Sequence, residues 1–438
     1  MSRRRANTPL DVYLNNRLVG QLLKDAAGAT SFAYDQGWLA FPSAIPVSLS
    51  LPLRETPFVG APVLAVFENL LPDSEPIRRR VAENLGARGT DAYSLLSVIG
   101  RDCVGALQFL PEGQQQTPTG IITAEALTED EIAATINNLA RAPLGLDADD
   151  DFRISVAGAQ EKTALLFHKG QWKKPTGTTP TTHLFKPQIG QLPHGIDLSN
   201  SVENEFYCLK LLEQFGLQTN ACTIETFGDK KVLVIERFDR RWTKNNLLIR
   251  LPQEDTCQAL SIPPSVKYQN QGGPSIVGIL KLLQASDTPE QDQQDFFKAQ
   301  ILFWLMGATD GHGKNVSIFL TPGGKFRMTP FYDVLTALPS LEAGQIHPKQ
   351  MNLAMSVGDN KHYRMKEIVG RHFLQSGIAG GMAKPNILAC IDQIITQTPK
   401  AFDALEAILP KGFPPAIHDA VKANALNALN SLRLHDTE

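Results

Sequence analysis

Within GATDGHGKN, residues 307–315, an aspartate, a histidine, a lysine and an asparagine fall in six positions, Asp310 to Asn315, with glycines between them. A carboxylate that can orient a hydroxyl, an amide oxygen that can hold a hard cation, and a nearby ammonium are what phosphoryl transfer from a nucleotide requires. Further parts lie elsewhere in the chain. Asp333 closes PFYD after Tyr332, and Lys186 lies in THLFKP, ahead of a segment carrying Glu203 and Glu205.

Asp310 and Asn315 have the spacing of a protein-kinase catalytic loop, in which the aspartate is the base and the asparagine five positions on holds a metal. Asp333, one hairpin later, stands where the second metal-binding aspartate belongs. Lys186 suits the charge pair that positions nucleotide phosphates, with Glu203 or Glu205 as partner. No second histidine lies at ligand spacing from His312, so a hydrogen bond within the loop or to a nucleotide is the better reading. Lys314 either neutralises phosphate charge or faces solvent. The segment SVAGAQEKT ends in Lys162-Thr163 like a Walker A loop, but Glu161 occupies the place of the second glycine. Its small residues Ala157, Gly158 and Ala159 still suit the close approach of backbone N–H groups to phosphates; a tight turn between strands is the alternative.

The elements that must position these groups can be read from pattern. LDVYL and RLVGQL form a hairpin around Asn15 and Asn16. Asp73 or Ser74 caps a helix with Pro76 in its first turn and Gly86 beyond its end, and Thr90 and Gly100 bracket another. A polar loop at 111–120 and a short helix after Thr128 lead to DADDD at 147–151, where the sequence places a domain boundary. Beyond it come a strand ISV, a hairpin turning at Lys169-Gly170, the strand of Lys186, a helix ending at Gly216, and strands IETF and VLVIE running into ERFDRRW. That is the order of a kinase small lobe. The remainder reads as mainly helical, with FFKAQILFWLMGAT leading into Asp310. The expected fold is α+β: a domain over 1–150, a nucleotide-binding lobe over about 151–240 and a helical lobe over about 241–438.

Composition sets limits. The 438 residues carry a formal net charge of -3, so any contact with nucleic acid or membrane must be local or brought by a partner. The basic run SRRR reads as a solvated tail. Cys103, Cys208, Cys222, Cys257 and Cys390 are scattered, which fits reduced thiols, and no apolar run reaches the ~20 residues needed to cross a bilayer. A cytoplasmic protein is expected.

With SVAGAQEKTALL, THLFKP, ERFDRRW, SVKYQNQGGP, GATDGHGKN and PFYD in order, and SLSLPL, NLLPDS and IGRDCVGALQF before them, the chain resembles the HipA family of bacterial toxin kinases. The resemblance implies a serine/threonine kinase core behind an extra N-terminal domain, using ATP and Mg2+. On it, Asp310 is the proton acceptor and Asn315 and Asp333 the metal ligands. Ala157 to Lys162 (including Gln160 and Glu161), Lys186, Glu236, Arg237, Phe238, His312, Gly313, Lys314, Asn315, Tyr332 and Asp333 contact the nucleotide, and Ser155 is the autophosphorylated serine. It also implies a HipB-type helix-turn-helix antitoxin that binds operator DNA, with this chain as corepressor, and a target of the aminoacyl-tRNA synthetase class such as glutamyl-tRNA synthetase. Departures from ordinary kinases are the missing His-Arg before Asp310, FYD for DFG, and no APE segment. A non-catalytic kinase-fold module and a metal-dependent phosphohydrolase stay as alternatives.

Overall fold

The structure, a computed structural model, describes residues 7–114, 116–118, 120–193 and 195–434. The SRRR run lies outside them. The chain forms two compact units: the first comprises Met1–Pro187, Glu225–Ser265 and Ile318–Lys325, the second Gln188–Ile224, Val266–Ser317 and Phe326–Glu438.

In the first unit, β1 (Leu10–Leu14), β2 (Arg17–Lys24), β3 (Thr30–Tyr34), β4 (Phe58–Val59) and β5 (Leu107–Pro111) form an antiparallel sheet in the order β4-β3-β2-β1-β5. Asn15 and Asn16 turn β1 into β2 at φ 46° and 68°, the left-handed region asparagine tolerates. Phe67 packs edge-on against Phe32 and Phe109 beneath the sheet, at 5.6 and 5.4 Å. The helix Glu75–Leu85 is capped by Ser74 and stopped by Gly86, as its sequence predicts. The next, Ala92–Ile99, is capped by Asp91 in place of the bracketing Thr90, because the Asp91 carboxylate reaches the Ser94 N–H.

A second sheet contains β6 (Ala124–Ala126), β7 (Thr163–His168), β8 (Gln171–Pro175), β9 (His183–Pro187), β10 (Cys222–Phe227) and β11 (Lys230–Glu236), in the order β10-β11-β9-β7-β8-β6. Helix Glu129–Asn137, with a Thr128–Glu131 capping box, buries Ile132, Ala133 and Ile136 with Leu165, Phe185, Val232 and Val234. β6 and this helix precede DADDD and yet share the second sheet and its core, so the break read at about 150 separates two elements from the later strands on which they pack. The expected strand ISV is also absent. Ser155 makes a single parallel bridge to Cys103, and Gly158 another to Pro72. Its apolar side chains pack into the first sheet's core, but its backbone neighbours are irregular chain that offers no continuous ladder.

The second unit is mainly helical, with helices Ser201–Gln214, Ile276–Leu283, Pro289–Met306, Gly370–Ala379, Lys384–Glu406 and Pro415–Leu432. Pro289–Met306 is buried on all sides of its C-terminal half, from Phe296 to Met306. It stops at Gly307, φ 66°, where a Cβ would lie 2.5 Å from Leu338. That stop delivers the chain into the Asp310 turn.

Candidate active site

In the first unit the Ser155–Thr163 segment closes on its own lysine. Lys162 is 4% exposed, and its Nζ donates to the Ala157 carbonyl at 2.8 Å. Gly158 sits at φ 110°, a conformation that favours glycine, and a Cβ there would lie 2.3 Å from that nitrogen and displace it. Glu161 is held by Arg80 at 2.6 Å, and Gln160 Nε2 donates to the Pro187 carbonyl at 2.8 Å, tying the loop to the end of β9. Lys186, 5% exposed, lies on β9 opposite Leu233 of β11. The segment and β9 thus each contribute a buried lysine, Lys162 and Lys186, to the first unit. Ser155 is fully buried; its Oγ donates to the Leu70 carbonyl at 2.9 Å and its N–H to the Asp102 carbonyl at 3.0 Å.

The connector after β11 divides in role. Glu236 is exposed, and Phe238 packs edge-on against Phe319 at 5.6 Å. The Arg237 guanidinium is occupied by Asp239 at 2.9 Å, Asp102 at 3.2 Å, Thr181 Oγ1 at 2.9 Å and the Cys103 carbonyl at 2.8 Å. Arg240 and Arg250 join the same buried cluster through Asp102, at 2.8 and 2.9 Å. Burial alone would raise the Asp102 carboxyl, but Arg240, Arg250 and Arg237 hold it well below the usual carboxylate range. Arg237 is thus a structural clamp through its side chain.

The second unit holds Asp310, Asn315 and Asp333. Asp310 has a side chain 59% exposed, and one of its oxygens accepts a hydrogen bond from the Tyr268 hydroxyl. His312, Lys314 and Asn315 are all buried. The His312 ring meets Tyr268 edge-on at 5.0 Å, and its Nε2 lies 4.0 Å from Asp310 Oδ1. Asn315 Nδ2 donates to the Asp310 carbonyl at 2.9 Å and to the Asp333 carbonyl at 3.3 Å. Two hydrogen bonds from the amide nitrogen are thereby made to backbone, and the side-chain oxygen accepts from neither. Tyr332 donates to the Lys314 carbonyl at 2.7 Å and lies 2.5 Å from Ser317 Oγ. Asp333 has φ 58°, an unusual conformation for a side chain other than glycine or asparagine. It is kept by neighbours on both sides: Phe331 exchanges hydrogen bonds with Gln218 and Asn220, and Asn204 makes two 2.8 Å bonds to Thr336. Asn204 lies between Glu203 and Glu205, both 2% exposed.

Asp310, Asn315 and Asp333, read from spacing, are thus brought together. Tyr268 carries no such spacing signal: it lies 42 positions before Asp310, and only its place in SVKYQNQGGP marks it. A set of an amide oxygen and a carboxylate is hard-oxygen chemistry that suits Mg2+ sharing phosphate oxygens. Among the described residues no cluster of three His, Cys, Asp or Glu forms a protein-only metal cage.

Comparison with known proteins covers nearly the whole chain. Residues 154–402 match the HipA-like C-terminal domain and residues 10–110 the HipA N-terminal domain. A Sinorhizobium fredii protein named "Putative kinase Y4mE" is 33% identical over 398 residues, spanning 90% of each chain. The serine/threonine-protein kinase toxin HipA of Shewanella oneidensis is 29% identical over 364 residues, spanning 80% of this chain and 78% of that one. The solved Shewanella oneidensis complex of HipA, HipB and operator DNA superposes with a TM-score of 0.79 at 25% identity, covering 96% of both chains.

Proposed function

The chain belongs to the HipA family of kinases, and on that premise we propose that it is an ATP- and Mg2+-dependent serine/threonine kinase with Asp310 as its catalytic base. One observation carries the reading: a single amide, Asn315, ties together the backbones of Asp310 and Asp333. Asp310 then accepts the proton of the attacking hydroxyl, with Tyr268 fixing its carboxylate. Asn315 Oδ1 and the Asp333 carboxylate are the groups that would hold Mg2+, which neutralises phosphate charge during transfer. Lys162, the backbone of Ala157 to Glu161, and Lys186 bind phosphates, with Glu203 or Glu205 positioning Lys186. The connector Glu236 to Phe238 meets the nucleotide through its backbone, because the Arg237 side chain is committed elsewhere. His312, Gly313, Lys314 and Tyr332 shape the phosphate end of the site.

The wider reading is a toxin of a toxin–antitoxin module, with residues 1–150 as the family's N-terminal region. A HipB-type antitoxin carries the chain to operator DNA, where it acts as corepressor; the relative solved with HipB and DNA supports this. Ser155 is the autophosphorylation site, and the target is of the aminoacyl-tRNA synthetase class, such as glutamyl-tRNA synthetase. A cytoplasmic location fits five free, buried cysteines and the absence, among the described residues, of any helix long and apolar enough to cross a membrane. Incubation with ATP labelled on its γ-phosphate tests the reading: label on protein supports it, label released only as free phosphate favours a phosphohydrolase, and untouched ATP favours a non-catalytic module.

A further inference from the structure

Beside Asp310 the second unit opens into a cleft of about 580 Å³, within the ~300–1,000 Å³ range of ligand sites. Tyr268, bonded to Asp310, and Thr309, its chain neighbour, form part of the lining. We propose that the basic wall of this cleft, Lys349, Lys361, His362 and Arg364, binds an acidic polypeptide segment of the phosphoryl acceptor. The inference rests on the reading of Asp310 as the base and names the acceptor class that base serves.

Charge is the first argument. Glu367 is the one carboxylate among the described lining residues, and it pairs with Arg364 at 3.2 Å. Lys349 and Lys361 are exposed and make no ion pair among the described residues. In a chain of net charge -3, a cleft with two uncompensated lysines next to the proposed base runs against the molecule's overall sign. Backbone conformation is the second argument. Lys361 stands at φ 54° in the turn between the strands Asn352–Val357 and His362–Arg364, a conformation that favours glycine or asparagine. A lysine thus stands in the cleft lining at a position where its backbone conformation disfavours it.

The chemistry favours polypeptide over nucleic acid. Single-stranded nucleic acid needs open aromatic faces for base stacking. His362 is already stacked on His372, at 3.9 Å, and Tyr268 packs at right angles to the His312 ring, which leaves Tyr363, partly buried, as the one aromatic of the lining with no ring contact among the described residues, too few for a run of stacked bases. Asn270, Asn352 and Asn360, also in the lining, offer amides that can both donate to and accept from a peptide backbone.

Fluorescence anisotropy on the full chain tests this without requiring transfer. The probes are a serine peptide flanked by glutamates, the same peptide flanked by lysines, and an RNA oligonucleotide of the acidic peptide's charge. The expected result is binding of the glutamate peptide, weakened by added salt and at least roughly tenfold tighter than the lysine peptide. The double variant Lys349→Glu/Lys361→Glu should lose that preference or reverse it with an unchanged melting temperature, while Lys400→Glu, outside the cleft, should keep it. Equal affinity for both peptides, no effect of the double variant, or tighter binding of RNA overturns the proposal. Because binding is read directly, a chain that binds the acidic peptide but never phosphorylates any protein contradicts the role of Asp310 and leaves the cleft's ligand class standing.

Discussion

At the residue scale, the Asp310 carboxylate depends on a neighbour from outside its own loop. It is largely open to solvent, and the Tyr268 hydroxyl fixes the orientation of one oxygen. Tyr268→Phe removes that donor and keeps the ring against His312. A single hydrogen bond is worth about 0.5–1.5 kcal/mol, so kcat should fall roughly two- to tenfold with the KM for ATP unchanged. A parallel rise in that KM would instead place Tyr268 in nucleotide binding. Asp310, Asn315 and Asp333 were legible because they lie close in sequence and their types are uncommon together. Tyr268 was not, because tyrosine is ordinary in any helical protein and its contact with Asp310 exists only after folding. Arg237 was legible as part of a motif, but its buried partners Asp102, Thr181 and Cys103 come from distant segments that no spacing reveals.

At the scale of elements, hairpins turning on Asn15-Asn16 and Lys169-Gly170 could be read directly, since both turns need positive φ and carry residues that tolerate or permit it. The segment around Ser155 shares a strand's alternation and lacks a strand's neighbours, and β6, AEA, is too short to show any period. Ser155 itself leads to a prediction. Its hydroxyl is fully buried against Leu70, and a phosphate of about -1.5 to -2 charge cannot remain there. Phosphorylation should expel residues 154–163, expose Lys162 to trypsin and weaken ATP binding; a phosphorylated chain that resists trypsin and binds ATP normally would contradict it. A second prediction concerns Glu254, which accepts from the Leu49 N–H at 2.8 Å. Burial pushes its carboxyl up to about 8. A folded-state value above the unfolded one contributes stability below about pH 4.5 that is lost as pH rises through about 8. Glu254→Gln keeps the shape and removes the titration. Its melting temperature relative to the parent chain should therefore rise between pH 5 and pH 9, and a difference that stays constant with pH would show that Glu254 is not buried as an acid.

At the scale of the molecule, the chain passes between its two compact units five times, after residues 187, 224, 265, 317 and 325. The kinase order of elements was legible because each β-hairpin and helix announces itself locally; which elements share a unit was not, because unit membership is set by long-range burial. Cutting the chain at 150 removes β6 and helix Glu129–Asn137 from the second sheet and exposes Phe185, Val232 and Val234. A fragment of 151–438 should aggregate or lose cooperative unfolding, whereas a fragment retaining 120–150 should recover part of the loss; a cooperative, soluble 151–438 would show that those contacts are dispensable. The most direct test of the account as a whole compares protein-bound label from γ-labelled ATP for the parent chain and Asp310→Asn, at saturating ATP and Mg2+ with nucleotide affinity measured alongside. The account predicts a loss of roughly 10²–10⁴ in transfer rate with ATP affinity retained; transfer by Asp310→Asn at the parent rate would contradict it.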